Sequence, residues 1–244
     1  ADTGKKLAGL TSALRDFDHP HAHRFLKWNI AEISWTKPHQ DLFAPTERSK
    51  IQALYHRFEI QQTAWASLRK QVLYHDANDY NILVTPDPYQ PSIAGFIDFG
   101  DIVYTQTIHD LAIACTYLLM GKPDPVHQAI PLIQAYHKHH PLTPEEIHCL
   151  GGCIGARLLI SATVAVINLK EHPENAYLQV SNQGVWEMID HWLDTDPAYA
   201  EMVFRQACGW EPSPKRYAYD QWIGSHPSFQ PVIQADWNLQ GVYL

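Results

Sequence analysis

The chain has 244 residues, 45% of them hydrophobic, and a formal net charge of −8 from 18 Lys and Arg against 26 Asp and Glu. Such a composition supports a large buried core and excludes disorder as a main theme. It also leaves no basic surface broad enough for a nucleic-acid backbone, so no nucleic-acid partner is expected. The four cysteines, Cys115, Cys149, Cys153 and Cys208, lie in apolar stretches without a CxxC pair. They read as small buried residues of a cytoplasmic protein rather than a disulfide framework.

In chain order, the first element is a helix after Thr3, with Leu7, Leu10, Leu14 and Phe17 at three- and four-residue spacings and His19-Pro20 at its end. A second long helix follows Pro45-Thr46, carrying Ile51, Leu54, Tyr55, Phe58, Trp65 and Leu68 on one side. The period then changes: residues 72–74, 82–84 and 93–97 are short β-branched or aromatic runs, which read as strands. The proline-rich turn at residues 85–91 can continue neither flank, so the last two runs form a small β-hairpin.

Helix resumes from about Ile108 through Met120. Thr143-Pro144-Glu145-Glu146 is a capping box with proline at the first helical position, opening a helix that runs to about Leu169. Residues 147–169 are apolar enough for a membrane span, but Arg157 near the centre would be costly at mid-bilayer, so a core helix and no membrane partner are expected. Asp196-Pro197 opens the last helix and Gly209 stops it. Beyond it, residues 210–244 turn rich in proline and aromatics.

The hairpin is where the chemistry collects. Asp76, Asn78, Asp79 and Asn81 precede it, Asp98 follows its second strand, and Asp101 comes three residues later. The antiparallel return delivers Asp98 to the end that carries Asp76 and Asn81. Hard oxygens around a loop suit Mg²⁺, which keeps several waters and takes one or two carboxylates plus substrate phosphates. In phosphoryl transfer a carboxylate accepts the proton of the attacking hydroxyl, while an amide and a second carboxylate hold the metal. Asx residues in turns ordinarily bond their own backbone, and Asn78 and Asp79 are read that way. Asp76, Asn81 and Asp98 taken jointly match the kinase spacings D-x-x-x-x-N and D-F-G.

The segments YHDANDYNILV and IAGFIDFGDIVYTQTIHDLAIACTYLLM resemble the aminoglycoside phosphotransferase and choline kinase superfamily, most of all its hydroxylysine kinase-like branch. The likeness runs from about Gly4 through ALRDFDHP and FLKWNI to PENAYLQVSNQGVWEMI, and so reaches about Leu193. It implies an α+β, mainly helical fold over residues 1–209, the C-terminal lobe of a protein-kinase-like fold with the catalytic loop on a small β-hairpin. Residues 210–244 would be a C-terminal extension or a linker to a further, fused enzyme domain. By the same resemblance Asp76 would be the catalytic base, Asn81 and Asp98 the Mg²⁺ ligands, and Asp110 a buried acid bracing the catalytic loop. The family usually has His two residues before the catalytic Asp; here Tyr74 stands there and His75 directly precedes Asp76, so His75 is expected to take over that packing.

The implied activity is transfer of the γ-phosphate of ATP or GTP to a hydroxyl of a small amine or amino acid. The alternative is a non-catalytic binding or regulatory domain of a larger enzyme. About seventy residues precede Asp76 and read as helices, without the glycine loop and strand lysine that clamp ATP in kinase-like enzymes. The chain is therefore expected to be a piece of a longer polypeptide, lacking its N-terminal lobe and weak as an enzyme alone. Arg157, a lone cation in an apolar helix, must find a carboxylate or face a pocket; the readings are a structural ion pair or, with Asp101, a place on the substrate side. The run from Leu150 to Gly155 sits inside a capped helix, so its glycines read as close helix packing rather than a phosphate loop. The histidines at 19, 21 and 23 and at 137, 139 and 140 read as solvated residues near helix ends.

Overall fold

A computed structural model of the chain describes residues 1–65, 67–172, 176–213 and 215–229. The chain divides into two compact units, Ala1–Trp210 and Glu211–Leu244.

The first unit is mainly helical. Its helices are α1 (Asp2–Ala13), α2 (Pro45–Ile60), the single turn α3 (Gln62–Trp65), α4 (Ile108–Leu119), the single turn α5 (Pro125–Gln128), α6 (Ile130–His139), α7 (Pro144–Glu171), α8 (Ala176–Asp194) and α9 (Pro197–Ala207). Four short strands lie between α3 and α4: β1 (Lys70–Leu73), β2 (Ile82–Val84), β3 (Ile93–Phe96) and β4 (Val103–Gln106). They form two separate antiparallel pairs, β1 with β4 and β2 with β3.

Helix α7 is the axis of the unit and packs against α2, α4, α8 and α9. It begins where the sequence announces it: Thr143 Oγ1 accepts from Glu146 N at 3.3 Å, and Glu146 Oε2 accepts from Thr143 N at 2.9 Å. The same glutamate, fully buried, receives both arms of Arg69 at 2.9 and 2.6 Å, which ties the helix start to the residue before β1. Leu150, Ile154, Leu158 and Leu159 are fully buried, each contributing about 1.5–3 kcal/mol of hydrophobic stabilisation. A Cβ at Gly152 would lie 2.1 Å from Gln61 Oε1, so this glycine is there for close approach of neighbouring elements. Among the described residues α7 alone is long and apolar enough to cross a membrane, and 72% of its apolar window is buried inside the protein.

Several elements differ from the sequence expectation. Helix α1 stops at Ala13, and Phe17, placed on its apolar face by periodicity, is 47% exposed in the turn that follows. The second long helix breaks after Ile60; Trp65 comes back against Phe58, ring centroids 4.1 Å apart, from its own turn. A 3-10 run over Ile30–Leu42 was not foreseen; Asn29 opens it, its Oδ1 accepting from Ala31 N at 3.2 Å. Strand β4 was also unforeseen, and it rather than the hairpin pairs with β1, Leu73 opposite Val103. His140 is buried, with Nδ1 3.0 Å from Ser12 Oγ, because α6 ends against α1; the other five histidines of the two clusters are exposed or half-buried. The four cysteines are free and buried.

The α9 start follows the expected pattern, with Asp196 Oδ1 accepting from Ala198 N at 2.7 Å and Tyr199 N at 3.1 Å, and Gly209 adopts φ +75° just past its end. The helix opened by Asp196, expected to be the last, is not: the second unit contains a helix, α10 (Arg216–Ser225), and a 3-10 turn, Pro227–Phe229. Of the proline and aromatic residues noted in the tail, Pro214, Pro231, Trp237 and Tyr243 lie outside the described residues, as do residues 173–175 of the last resemblance segment.

Candidate active site

The site begins where β1 ends. Tyr74 is fully buried; its ring packs 5.5 Å from Phe96 and 5.0 Å from Phe99, and its hydroxyl donates to the carbonyl of Ile97. Burial, reinforced by nearby carboxylates, pushes its phenol pKa up, so it stays a donor. The next residue, His75, takes a left-handed φ of 67° and is fully buried. Its N–H donates to Asp110 Oδ1 at 2.7 Å. Burial, with the Arg157 and His109 charges adding to it, drives the His75 pKa far down, so the imidazole is neutral.

Asp110 comes from the first turn of α4 and is fully buried. Thr11 Oγ1 lies 3.2 Å from Asp110 Oδ2 and 3.0 Å from Leu7 O, its one proton serving either, and it accepts from the Tyr136 hydroxyl at 3.2 Å. Burial raises the Asp110 pKa to about 6, although the His75 amide and Thr11 pull against it. An acid from α4 thus clamps the backbone at the entrance to the loop, backed by α1 and α6.

The loop itself is organised by Asn78. Its Oδ1 accepts from Tyr80 N at 2.9 Å and Asn81 N at 3.2 Å, which winds Asp79–Asn81 into a 3-10 turn. Its Nδ2 donates to Asp76 Oδ1 at 2.9 Å, so the residue does more than the local capping expected of it. Asn81 Nδ2 donates to Asp76 Oδ2 at 2.6 Å and to the Asp76 carbonyl at 3.2 Å. The Asp76 carboxylate is therefore gripped at both oxygens by amides.

The hairpin closes the constellation. β2 and β3 pair with Ile82 opposite Phe96, and one residue beyond β3 the Ile97 N–H donates to the Asn81 carbonyl at 3.0 Å. Asp98, next in line, also has a left-handed backbone, φ 57°, and its Oδ1 accepts from Gly100 N at 3.1 Å. Unlike His75 it is exposed. Burial raises the Asp76 pKa; Asn78 and Arg157 oppose the rise, and the charges of Asp101 and Asp98 add to it. Asp76, Asp98 and Asp101 are thus close enough to feel one another.

Arg157, projecting from α7, has its side chain 2% exposed. Its Nη1 donates to the Trp28 carbonyl at 2.7 Å, its Nη2 lies 3.7 Å from Asp76 Oδ1, and the guanidinium stacks over the rings of Trp28 (4.7 Å) and Tyr117 (5.3 Å). Among the described residues its Nε has no partner. The nearest carboxylate to the guanidinium is thus that of Asp76, with aromatic rings and a backbone carbonyl around the rest of it. Asp101 is half-buried, its pKa raised by burial and held back by Arg157 and Arg24. Arg24, Trp28, Thr11 and Tyr117 were not singled out in the sequence, because nothing local marks a residue that acts across the fold.

With its amide nitrogen engaged by Asp76, Asn81 has one atom suited to a cation, the carbonyl oxygen, and Asp98 adds a carboxylate. Among the described residues no three His, Cys, Asp or Glu side chains gather as a metal cluster. Two protein oxygens at an open mouth fit a hard cation that completes its shell with water and phosphate.

The family model of the phosphotransferase enzyme family matches residues 1–147. The chain belongs to this family. The matched span contains every residue from Asp76 to Asp110 discussed above, while Arg157 lies beyond it. The chain is 27% identical to the hydroxylysine kinase of Danio rerio over 201 residues, covering 78% of this chain and 56% of that protein. With the hydroxylysine kinase of Mus musculus it shares 24% identity over 224 residues, 86% of this chain and 59% of that protein. The chain therefore spans well under two thirds of the length of these relatives. A solved structure of a microcompartment-associated aminopropanol kinase superposes with a TM-score of 0.56 at 15% identity, covering 84% of this chain and 62% of that one, which establishes a shared fold.

Proposed function

We propose that the protein transfers the γ-phosphate of ATP or GTP to a hydroxyl of a small amine or amino acid, with Asp76 accepting the hydroxyl proton. The observation that carries this reading is the Asp76 carboxylate, held at both oxygens by Asn78 and Asn81 and backed by Arg157, beside the oxygens of Asn81 and Asp98. A carboxylate oriented in this way needs no reorganisation when a hydroxyl arrives, which is the main contribution a protein can make to phosphoryl transfer.

Asn81 and Asp98 would hold Mg²⁺, which supplies neutralisation of phosphate charge when bound. Asp101, half-buried and close to Asp76, is suited to the ammonium group of an acceptor, which a carboxylate recognises by charge-assisted hydrogen bonds. Asp110 and His75 act beneath the loop: one accepts the backbone N–H of the other and fixes the direction in which Asp76 leaves the strand. The acceptors named for the relatives, hydroxylysine and aminopropanol, both join an amine to a hydroxyl. They are the first compounds to try.

The test is Mg²⁺-dependent phosphate transfer from ATP and from GTP across a panel of small amino alcohols and hydroxy amino acids. Asp76→Ala is expected to lower turnover by about 10²-fold or more. Turnover within a few-fold of the parent in that variant would remove Asp76 from the role.

A further inference from the structure

One segment touches both halves of the site. Between α1 and the 3-10 run, residues 23–29 cross from the Asp98 loop to Arg157. Arg24 Nη2 donates to the carbonyl of Gly100 and to that of Ile102 at 3.3 Å, so it brackets Asp101 from both sides. Trp28, four residues on, accepts from Arg157 Nη1 and lays its ring against the same guanidinium. Asn29 Oδ1 accepts from Thr105 Oγ1 at 3.0 Å, and His23 stacks on Tyr104 at 4.5 Å, so the segment is also anchored along β4.

The loop it reaches is tied to the Asp76 side at its start, where the Ile97 carbonyl accepts from the Tyr74 hydroxyl, the Ile97 N–H donates to the Asn81 carbonyl and the Phe99 ring packs on Tyr74. Beyond that start, residues 98–100 are exposed, Asp98 is bonded among the described residues to Gly100 N, and the Ile102 N–H reaches the Phe99 carbonyl at a long 3.4 Å. The Asp76 side, by contrast, is held from α4, α7 and its own loop. A loop takes its position from whatever grips it, and here one guanidinium nitrogen, Arg24 Nη2, donates to two carbonyls of the loop at once. We propose that Arg24 is a positioning residue: through the strap of residues 23–29 it sets the Asp98–Asp101 loop in register with Asp76. The strap's other end, at Trp28, holds the cation that faces Asp76, so a single stretch of backbone fixes the spacing between the two sides.

The kinetic part of this inference rests on the phosphotransferase reading, and the exchange part does not. Amide hydrogen exchange is measured on the parent, Arg24→Met, Arg24→Lys and, as a control away from the loop, His21→Ala. In Arg24→Met the amides of residues 98–103 should exchange about tenfold faster or more, as expected for a segment that loses its local closure, with α4 and α7 unchanged. Arg24→Lys should fall between, because an ammonium can still donate to these carbonyls but from a shorter side chain, and His21→Ala should match the parent. Turnover of Arg24→Met should drop about 10²-fold, the scale of an ångström-level misplacement, with the acceptor KM little changed and activity partly restored by added guanidinium. Unchanged exchange at residues 98–103, or a rise spread equally through α4 and α7, overturns the proposal. If the parent, assayed within the longer polypeptide it is expected to belong to, transfers no phosphate the functional reading falls, and the exchange pattern still decides the role of Arg24.

Discussion

His75 and Asp98 stand at the two ends of the site in the same left-handed backbone conformation, φ 67° and 57°, and their surroundings are opposite. Such a conformation costs a residue with a side chain on the order of 1–3 kcal/mol and persists where the surroundings over-determine it. His75 is fully buried, its N–H held by an acid that α1, α4 and α6 enclose. Asp98 is exposed, and its carboxylate accepts from the amide two residues on. The side carrying Asp76 is thus built into the core, while the side carrying Asp98 is exposed and held by fewer contacts, chiefly those of Arg24 and Tyr74. That division would suit the proposed roles, a fixed proton acceptor beside a cation site open to a charged ligand.

The comparison breaks most sharply at Arg157. Arg157→Met leaves the Trp28 carbonyl without its donor and half-buried Asp76 without its cation, so it should destabilise the fold by about 3 kcal/mol, as removing one partner of a buried pair does. Denaturant unfolding measures this, and a loss below about 1 kcal/mol would mean the Asp76 side is no better fixed than a surface ion pair.

Asp110→Ala comes next. It strands the buried His75 N–H and should cost about 1–3 kcal/mol. Asp110→Asn keeps an acceptor oxygen and should recover much of that loss; equal losses in the two variants would show that the clamp is not the reason Asp110 is there.

Acid provides a third probe. His75 and His109 are buried and neutral, the His109 pKa lowered by burial to about 3, and burial also lowers that of His140. Below pH 6.5 the unfolded chain binds protons at these histidines that the folded chain does not, so stability falls as the pH drops through that value. Asp110 works the other way: with its pKa raised to about 6, the folded chain takes up its proton first, so this one group adds stability between about pH 6 and pH 3.8. Thermal melts should show a net loss on acidification, steeper in Asp110→Asn, where the opposing carboxyl is gone. A melting temperature that holds level or rises from pH 7 to pH 5 would contradict this.

The smallest change is expected at Asp98. Asp98→Gly relieves a left-handed backbone at an exposed position and should leave stability unchanged or raise it by up to about 1 kcal/mol, while Mg²⁺-dependent turnover falls. A destabilised Asp98→Gly would show that the Asp98 carboxylate, through its bond to the Gly100 amide, stabilises the loop by more than the left-handed backbone costs.

The parts of this molecule that were legible in the sequence are those that neighbours along the chain decide. The capping box at Thr143, the cap at Asp196, the stop at Gly209 and the hairpin around residues 85–91 depend on groups a few residues apart, and the pattern displays them directly. The spacing from Asp76 to Asn81 and the Asp98-Phe99-Gly100 run are local in the same sense. They were enough to indicate the family, which the match over residues 1–147 establishes.

What required the tertiary structure is everything that depends on distant segments meeting. Periodicity carried the first helix to Phe17 and the second to Leu68, because an apolar spacing does not reveal where packing turns the chain. The partner of β1 proved to be β4, whose β-branched and aromatic run Val103-Tyr104-Thr105 matches the strand pattern although it was not singled out, and whose pairing no local pattern reveals. Arg157 was conspicuous as a charge in an apolar helix, yet its partners, Asp76 and the Trp28 carbonyl, are chosen by how α7 crosses the core. Composition, caps and motif spacing thus determined where several helices and the hairpin form and which family the chain belongs to. Only the packing of α1, α4, α6 and α7 decided that one end of the site is buried and clamped and the other exposed, because burial and long-range hydrogen bonds belong to the assembled core and to no stretch of sequence by itself.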